Sequence, residues 1–73
     1  MKRVYYQIEG EDGQFFTLRD AKSHVFLAYT KEERIKYLKG CSIFKFIDGE
    51  AVSETKIIVD NAGNYGFSKT IKL

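Results

Sequence analysis

The sequence predicts an α+β domain, an antiparallel sheet in the order β-β-α-(α)-β-β-β with one main helix packed on one face. Three observations predict it. Residues 17–29 repeat apolar side chains at helical spacing. The segments on either side alternate or run β-branched, as strands do. The turns between the later strands are short, and short turns join antiparallel neighbours. All 73 residues form a single domain.

Arg3 to Glu9 alternates, with Val4, Tyr6 and Ile8 on one side and Tyr5, Gln7 and Glu9 on the other. That is the pattern of a half-buried strand. Gly10-Glu11-Asp12-Gly13 supplies a turn. Gln14 to Phe16 is expected to return as a second strand, making residues 3–17 a hairpin. Phe15 and Phe16 then point to opposite faces, and one of them lacks a core position.

Residues 17–29 form the main helix. At about 100° per residue, Leu18, Ala21, Lys22, Val25, Ala28 and Tyr29 share a side, with Phe26 at its edge. Thr17 with Asp20 is a variant capping box, and Thr30 with Glu33 is a second match. Lys31 to Lys39 therefore reads as a short separate helix with Ile35 and Leu38 inward; one bent helix over 18–39 is the competing reading. Gly40 suits a left-handed stop. Ser42 to Ile47 is a strand, Asp48-Gly49 a two-residue hairpin signal, and Glu50 to Asp60 a long strand. Asn61 to Asn64 turns, and Tyr65 to Leu73 closes a meander, with Phe67, Ile71 and Leu73 on one side. If Phe44, Phe46, Ile57, Val59, Phe67 and Ile71 face the helix, the reverse face holds Ile43, Lys45, Ile47, Val52, Lys56 and Ile58. Val52 and Ile58 then share a face that excludes Ile57 and Val59, a conflict that a bulge in the long strand would relieve.

Composition bounds the function. Hydrophobic residues make up 44% and aromatics 15%, enough for a real core in a short chain. Twelve basic against ten acidic residues, net +2, is not the global signature of a nucleic-acid binder. One cysteine, Cys41, excludes an internal disulfide and points to a reducing cytoplasm. The N-terminus lacks the apolar run of a signal peptide. No segment is long enough to span a membrane.

Chemistry-bearing residues are sparse. His24 is the only histidine, and Asp20 four residues earlier is its candidate partner; such a pair is more ordinary on a surface than in catalysis. Cys41 follows a helix, whose dipole disfavours the thiolate, so packing is its expected role. One Cys and one His give no zinc site. The carboxylates Glu9, Glu11 and Asp12 lack calcium-loop spacing. Gly63-Asn64-Tyr65-Gly66 lacks the helix and Lys-Ser/Thr of a phosphate loop. No cofactor is expected.

Two surface features remain. Leu27 lies opposite Leu18 on the helix. With Phe15, Ile43, Ile47, Val52 and Ile58 it makes a candidate partner surface. The leading expectation is a non-enzymatic protein-interaction module, self-associating or binding another protein. The alternative is a nucleic-acid-binding accessory module. It would use Arg34, Lys36 and Lys39 on the short helix and Lys45, Lys56 and Lys72 across the sheet.

Overall fold

A computed structural model describes residues 2–73. The elements are β1 (Val4–Ile8), α1 (Leu18–Leu27), α2 (Lys31–Glu33) running into a π-helical turn (Arg34–Leu38), β2 (Ser42–Ile47), β3 (Glu50–Val59), β4 (Tyr65–Phe67) and β5 (Ile71–Lys72). Every strand pair is antiparallel. The order is β1-β2-β3-β4, and β5 pairs with the other half of β3. α1 packs against β1 and β2, and the π turn packs against β3, all on one face. The expected α+β class therefore holds.

Local chemistry sets the helix ends. The Asp20 N–H donates to Thr17 Oγ1 at 3.1 Å. At α2 the capping box is complete: the Glu33 N–H donates to Thr30 Oγ1 at 3.2 Å, and the Thr30 N–H donates to Glu33 Oε1 at 2.9 Å. Thr30 thus separates two helices instead of sitting inside one. The second helix loosens at its end, where the Lys39 N–H reaches back five residues to the Arg34 carbonyl at 3.1 Å. Asp48 and Gly49 both take positive φ, 51° and 83°. Those angles are the left-handed pair that a type I′ hairpin requires.

The core is Ile8, Ala21, Val25, Leu38, Ile43, Ile57 and Val59, with Tyr6, Phe15, Leu18, Tyr29, Ile35, Cys41 and Phe67 packed around it. Each large buried side chain contributes about 1.5–3 kcal/mol relative to exposure. Among the described residues, no buried side-chain polar atom lacks a hydrogen-bond partner.

Three strand expectations change, and one holds. Gln14 to Phe16 is not a strand: only Tyr6 and Phe15 bridge, through reciprocal backbone bonds of 2.7 and 2.8 Å. The chain needs Thr17 as a helix cap two residues later, which leaves no room for a ladder.

The face of β2 is reversed: Ile43 is 1% exposed in the core, while Phe44 and Phe46 face away from α1. Ile43 pairs with Ile8 on one side and Thr55 on the other, directly under the helix. Lys45, which made that face read as polar, lies beyond the helix, with its ammonium 5.9 Å from the Tyr6 ring centroid.

The anticipated bulge in β3 is present. Lys45 pairs with Ser53 and Phe46 with Ala51, so Val52 is the extra residue.

The last strand is broken. Phe67 pairs with Ile57 but Ile71 with Glu54, so three residues oppose two. The odd residue turns Ile71 to the reverse face, away from Phe67. Ser68 causes the break locally, because its Oγ accepts the Lys56 N–H at 2.9 Å.

All buried residues lie at one end of the sheet. The β2–β3 hairpin and the start of β1 run on past the helices, and the molecule measures 42 × 21 × 18 Å.

Candidate interaction surfaces

No helix packs on the reverse sheet face, where Tyr5, Phe44 and Phe46 are half-buried against one another. Register places Tyr5 beside Phe46 and Ala51, and Gln7 beside Phe44, Glu54 and Ile71; Lys56 and Ile58 continue that face. The aromatics form a row. The Tyr5 and Phe46 rings stack with centroids 5.1 Å apart and planes 13° apart. The Arg3 guanidinium lies 5.2 Å from the Tyr5 centroid, and Phe44 lies 6.4 Å from Phe46. Ile71, 50% exposed, follows Glu54 in the Phe44 register row, and Ile58, 56% exposed, lies farther along β3 beyond Lys56. Ser42 ties the polar margin together, its Oγ donating to Glu54 at 2.6 Å and its N–H to Glu9 at 3.1 Å.

The expected partner residues scatter. Ile58 is on the reverse face and Leu27 is exposed, as expected. Ile43 is buried and has no surface to offer. Ile47 pairs with Val4 on the helix side of the bare hairpin, because β2 has the opposite parity. Val52 is the half-buried bulge residue. Phe15 is half-buried against His24, with centroids 5.0 Å apart, and Phe16 is the free ring, 88% exposed. The half-buried Tyr5, Phe44 and Phe46 and the exposed Ile71 belong to the reverse face instead. The alternation Tyr5-x-Gln7-x-Glu9 was the signal for Tyr5; the others depended on strand parity.

The basic residues do not assemble. Arg34 is 6% exposed, donating through Nε to the Gly63 carbonyl at 3.1 Å and through a terminal nitrogen to the Tyr29 carbonyl at 2.8 Å. It clamps α2 to the 60–64 turn and is closed to phosphate. Lys39 bonds Asn61 at 3.0 Å, and the Lys36 ammonium lies 5.2 Å from the Tyr37 centroid. Lys45 and Lys72 both flank Ser53 on the helix side, whereas Lys56 is an odd number of residues away and faces the reverse side. The expected line of three lysines is absent because strand parity divides it.

His24 pairs with Glu11, not Asp20: Nε2 and Oε1 are 3.1 Å apart. Tyr29 donates to the other Glu11 oxygen. Burial pushes the Tyr29 phenol well above its ordinary value, and the bond to Glu11 adds to it. A phenol so held is a poor acid, and the cluster tethers the 9–16 loop to the last turn of α1 through His24 and to the α1–α2 connection through Tyr29. Burial also raises the Cys41 thiol, with Glu9 and Glu11 adding to the effect. Cys41 donates to the Tyr37 carbonyl at 3.2 Å, as a packing residue would. The described residues contain no group of three or more His, Cys, Asp or Glu able to hold a metal.

The outward side of α1 carries a ridge, Ser23 and Leu27, between two troughs. One is lined by Gln14, Phe15, Phe16, Asp20 and His24. The other is lined by Leu18, Arg19, Lys22, Phe26, Tyr65 and Phe67. Leu27 is 77% exposed and Phe26 57%. Among the described residues no helix is long and apolar enough to cross a membrane. No family model, no curated protein and no solved structure matches this chain.

Proposed function

We propose that this chain is a non-catalytic protein-interaction module that self-associates through the reverse face of its sheet. The observation that carries the reading is the Tyr5–Phe46–Phe44 row, with Ile58 and Ile71, on a face that no element covers. A small domain buries only about 60% of its unfolded surface, so a further apolar layer matters to it. A long axis of 42 Å and a width of 21 Å give the face room for the ~800 Å² per partner of a standard interface. Sheets pack face to face at about 10 Å, with side chains interdigitating. The face carries both signs, Glu54 and Lys56, so a two-fold pairing can set opposite charges against each other. The geometry favours protein over nucleic acid. Tyr5 and Phe46 turn their ring faces to each other and to Arg3, whereas base stacking needs an open face. A single free cysteine supports a reducing, cytoplasmic setting.

Light scattering on wild type, Phe46→Lys and Leu27→Asp tests it. The expected result is a dimer for wild type and Leu27→Asp, and a folded monomer for Phe46→Lys. A wild type that stays monomeric at millimolar concentration overturns the reading.

A further inference from the structure

We propose that the trough between α1 and β4 binds an acidic amphipathic segment of another protein. The site is separate from the reverse sheet face and does not depend on it. Its walls are Leu18 and Phe26 from α1 and Tyr65 and Phe67 from β4, around a volume of about 630 Å³. That is room for one or two large apolar anchors, within the range of real binding sites. The trough is shallow and open along its length, which suits a segment laid across it better than an enclosed small molecule.

Among the described residues, the charge on its lining has one sign. Arg19 and Lys22 are the only charged residues on its lining. The Lys22 ammonium lies 5.0 Å from the Phe67 centroid, and the Arg34 guanidinium backs Tyr65 at 5.0 Å. Among the described residues neither Arg19 nor Lys22 is in an ion pair. The nearest helical acid, Asp20, lines the trough on the far side of the Ser23–Leu27 ridge, with His24. Cations thus collect on the β4 side of α1. An occupant with leucine or aromatic anchors on one helical face and carboxylates beside them meets both the apolar wall and the basic rim, the helix-in-groove mode. Opposite charge at the rim sets specificity and encounter rate more than total affinity.

The test uses a fluorescent peptide with leucines at helical spacing and glutamates elsewhere, and a twin with lysines in place of the glutamates. Anisotropy is measured against the full chain and against Arg19→Gln/Lys22→Gln, Phe26→Ser and Phe46→Lys. The acidic peptide is expected to bind. The lysine twin is expected to bind at least about tenfold more weakly. The double glutamine variant and Phe26→Ser each lose about tenfold with an unchanged circular dichroism spectrum, and Phe46→Lys binds as wild type. No binding of the acidic peptide, equal binding of its lysine twin, or insensitivity to the glutamine pair overturns the proposal. A change of oligomeric state in the glutamine pair also overturns it, since the trough would then hold a second copy of the chain.

Discussion

The two ends of this sheet share strands but not chemistry. At the helix-covered end Ile8, Ile43 and Thr55 sit side by side, all nearly sealed from water. At the hairpin end the same three strands pair Val4 with Ile47 and Glu50, and nothing there is buried. The covered end holds the fold together. The bare end carries the Tyr5–Phe46 stack on its reverse face with no helix over it, and the reverse face continues behind the covered end to Ile58. Under the proposed reading, stability should respond to substitution at the covered end and association to substitution on the reverse face.

The largest effect is expected from Ile43→Ala. A fully buried isoleucine lost from a packed site costs about 2–5 kcal/mol. A chain of this length has only about 4–11 kcal/mol in all. Phe46→Ala, half-buried on the reverse face and stacked on Tyr5, should cost less, about 1–2 kcal/mol. Urea denaturation of both variants gives the contrast; equal losses would break it.

Gly63→Ala comes next. Gly63 is buried at φ 83°, and an added Cβ would stand 2.5 Å from the Lys31 Cβ and 2.9 Å from its backbone. Strain and clash together should cost about 2–3 kcal/mol. The variant should also free Arg34, whose Nε bond to the Gly63 carbonyl joins α2 to the turn.

Thr30→Ala removes the α2 cap, at about 1 kcal/mol. Acid probes the same place. The Thr30 backbone N–H, then its side chain, hold the Glu33 carboxyl below its ordinary value. At Asp60 desolvation is the largest single influence and acts upward, and the bonds from Asn64, Ala62 and Gly63 together more than reverse it. Both carboxyls are lowered by folding, so their support is present above their ordinary values of 4.5 and 3.8 and is lost as pH falls through the folded ones. Thermal melts should show stability falling on acidification, and less steeply in Thr30→Ala.

The smallest effect concerns Tyr29. Its raised phenol gives support complete below its ordinary value of 10.0 and lost as pH rises further. Followed by tyrosinate absorbance, Glu11→Gln should make the last ionising tyrosine titrate at lower pH.

Features set by neighbours in the chain were legible from the sequence. Thr17, Thr30 and Gly40 bound the helices, and Asp48-Gly49 turns the hairpin, because each acts within a few residues. What depended on distant partners was not. The run Ser42 to Ile47 is apolar on both parities, so only the reach of α1 decides that Ile43 is covered and Lys45 is not. Ser68 breaks the last strand by taking Lys56 N–H from twelve residues away, and that break moves Ile71 to the open face. Arg34 reads as a surface cation until Gly63, twenty-nine residues on, receives it. An apolar surplus on the reverse face was foreseen, and alternation in β1 already separated Tyr5 from Val4, Tyr6 and Ile8; Phe44, Phe46 and Ile71 required the register.

The most direct test of that surplus is an isotope-filtered nuclear Overhauser spectrum of an equimolar mixture of labelled and unlabelled protein. Contacts between Phe44 or Phe46 ring protons of one copy and Ile58 or Ile71 methyls of the other are predicted. A mixture that self-associates but shows its intermolecular contacts only at Phe16, Phe26 or Leu27, or one that shows none at millimolar concentration, would contradict the account.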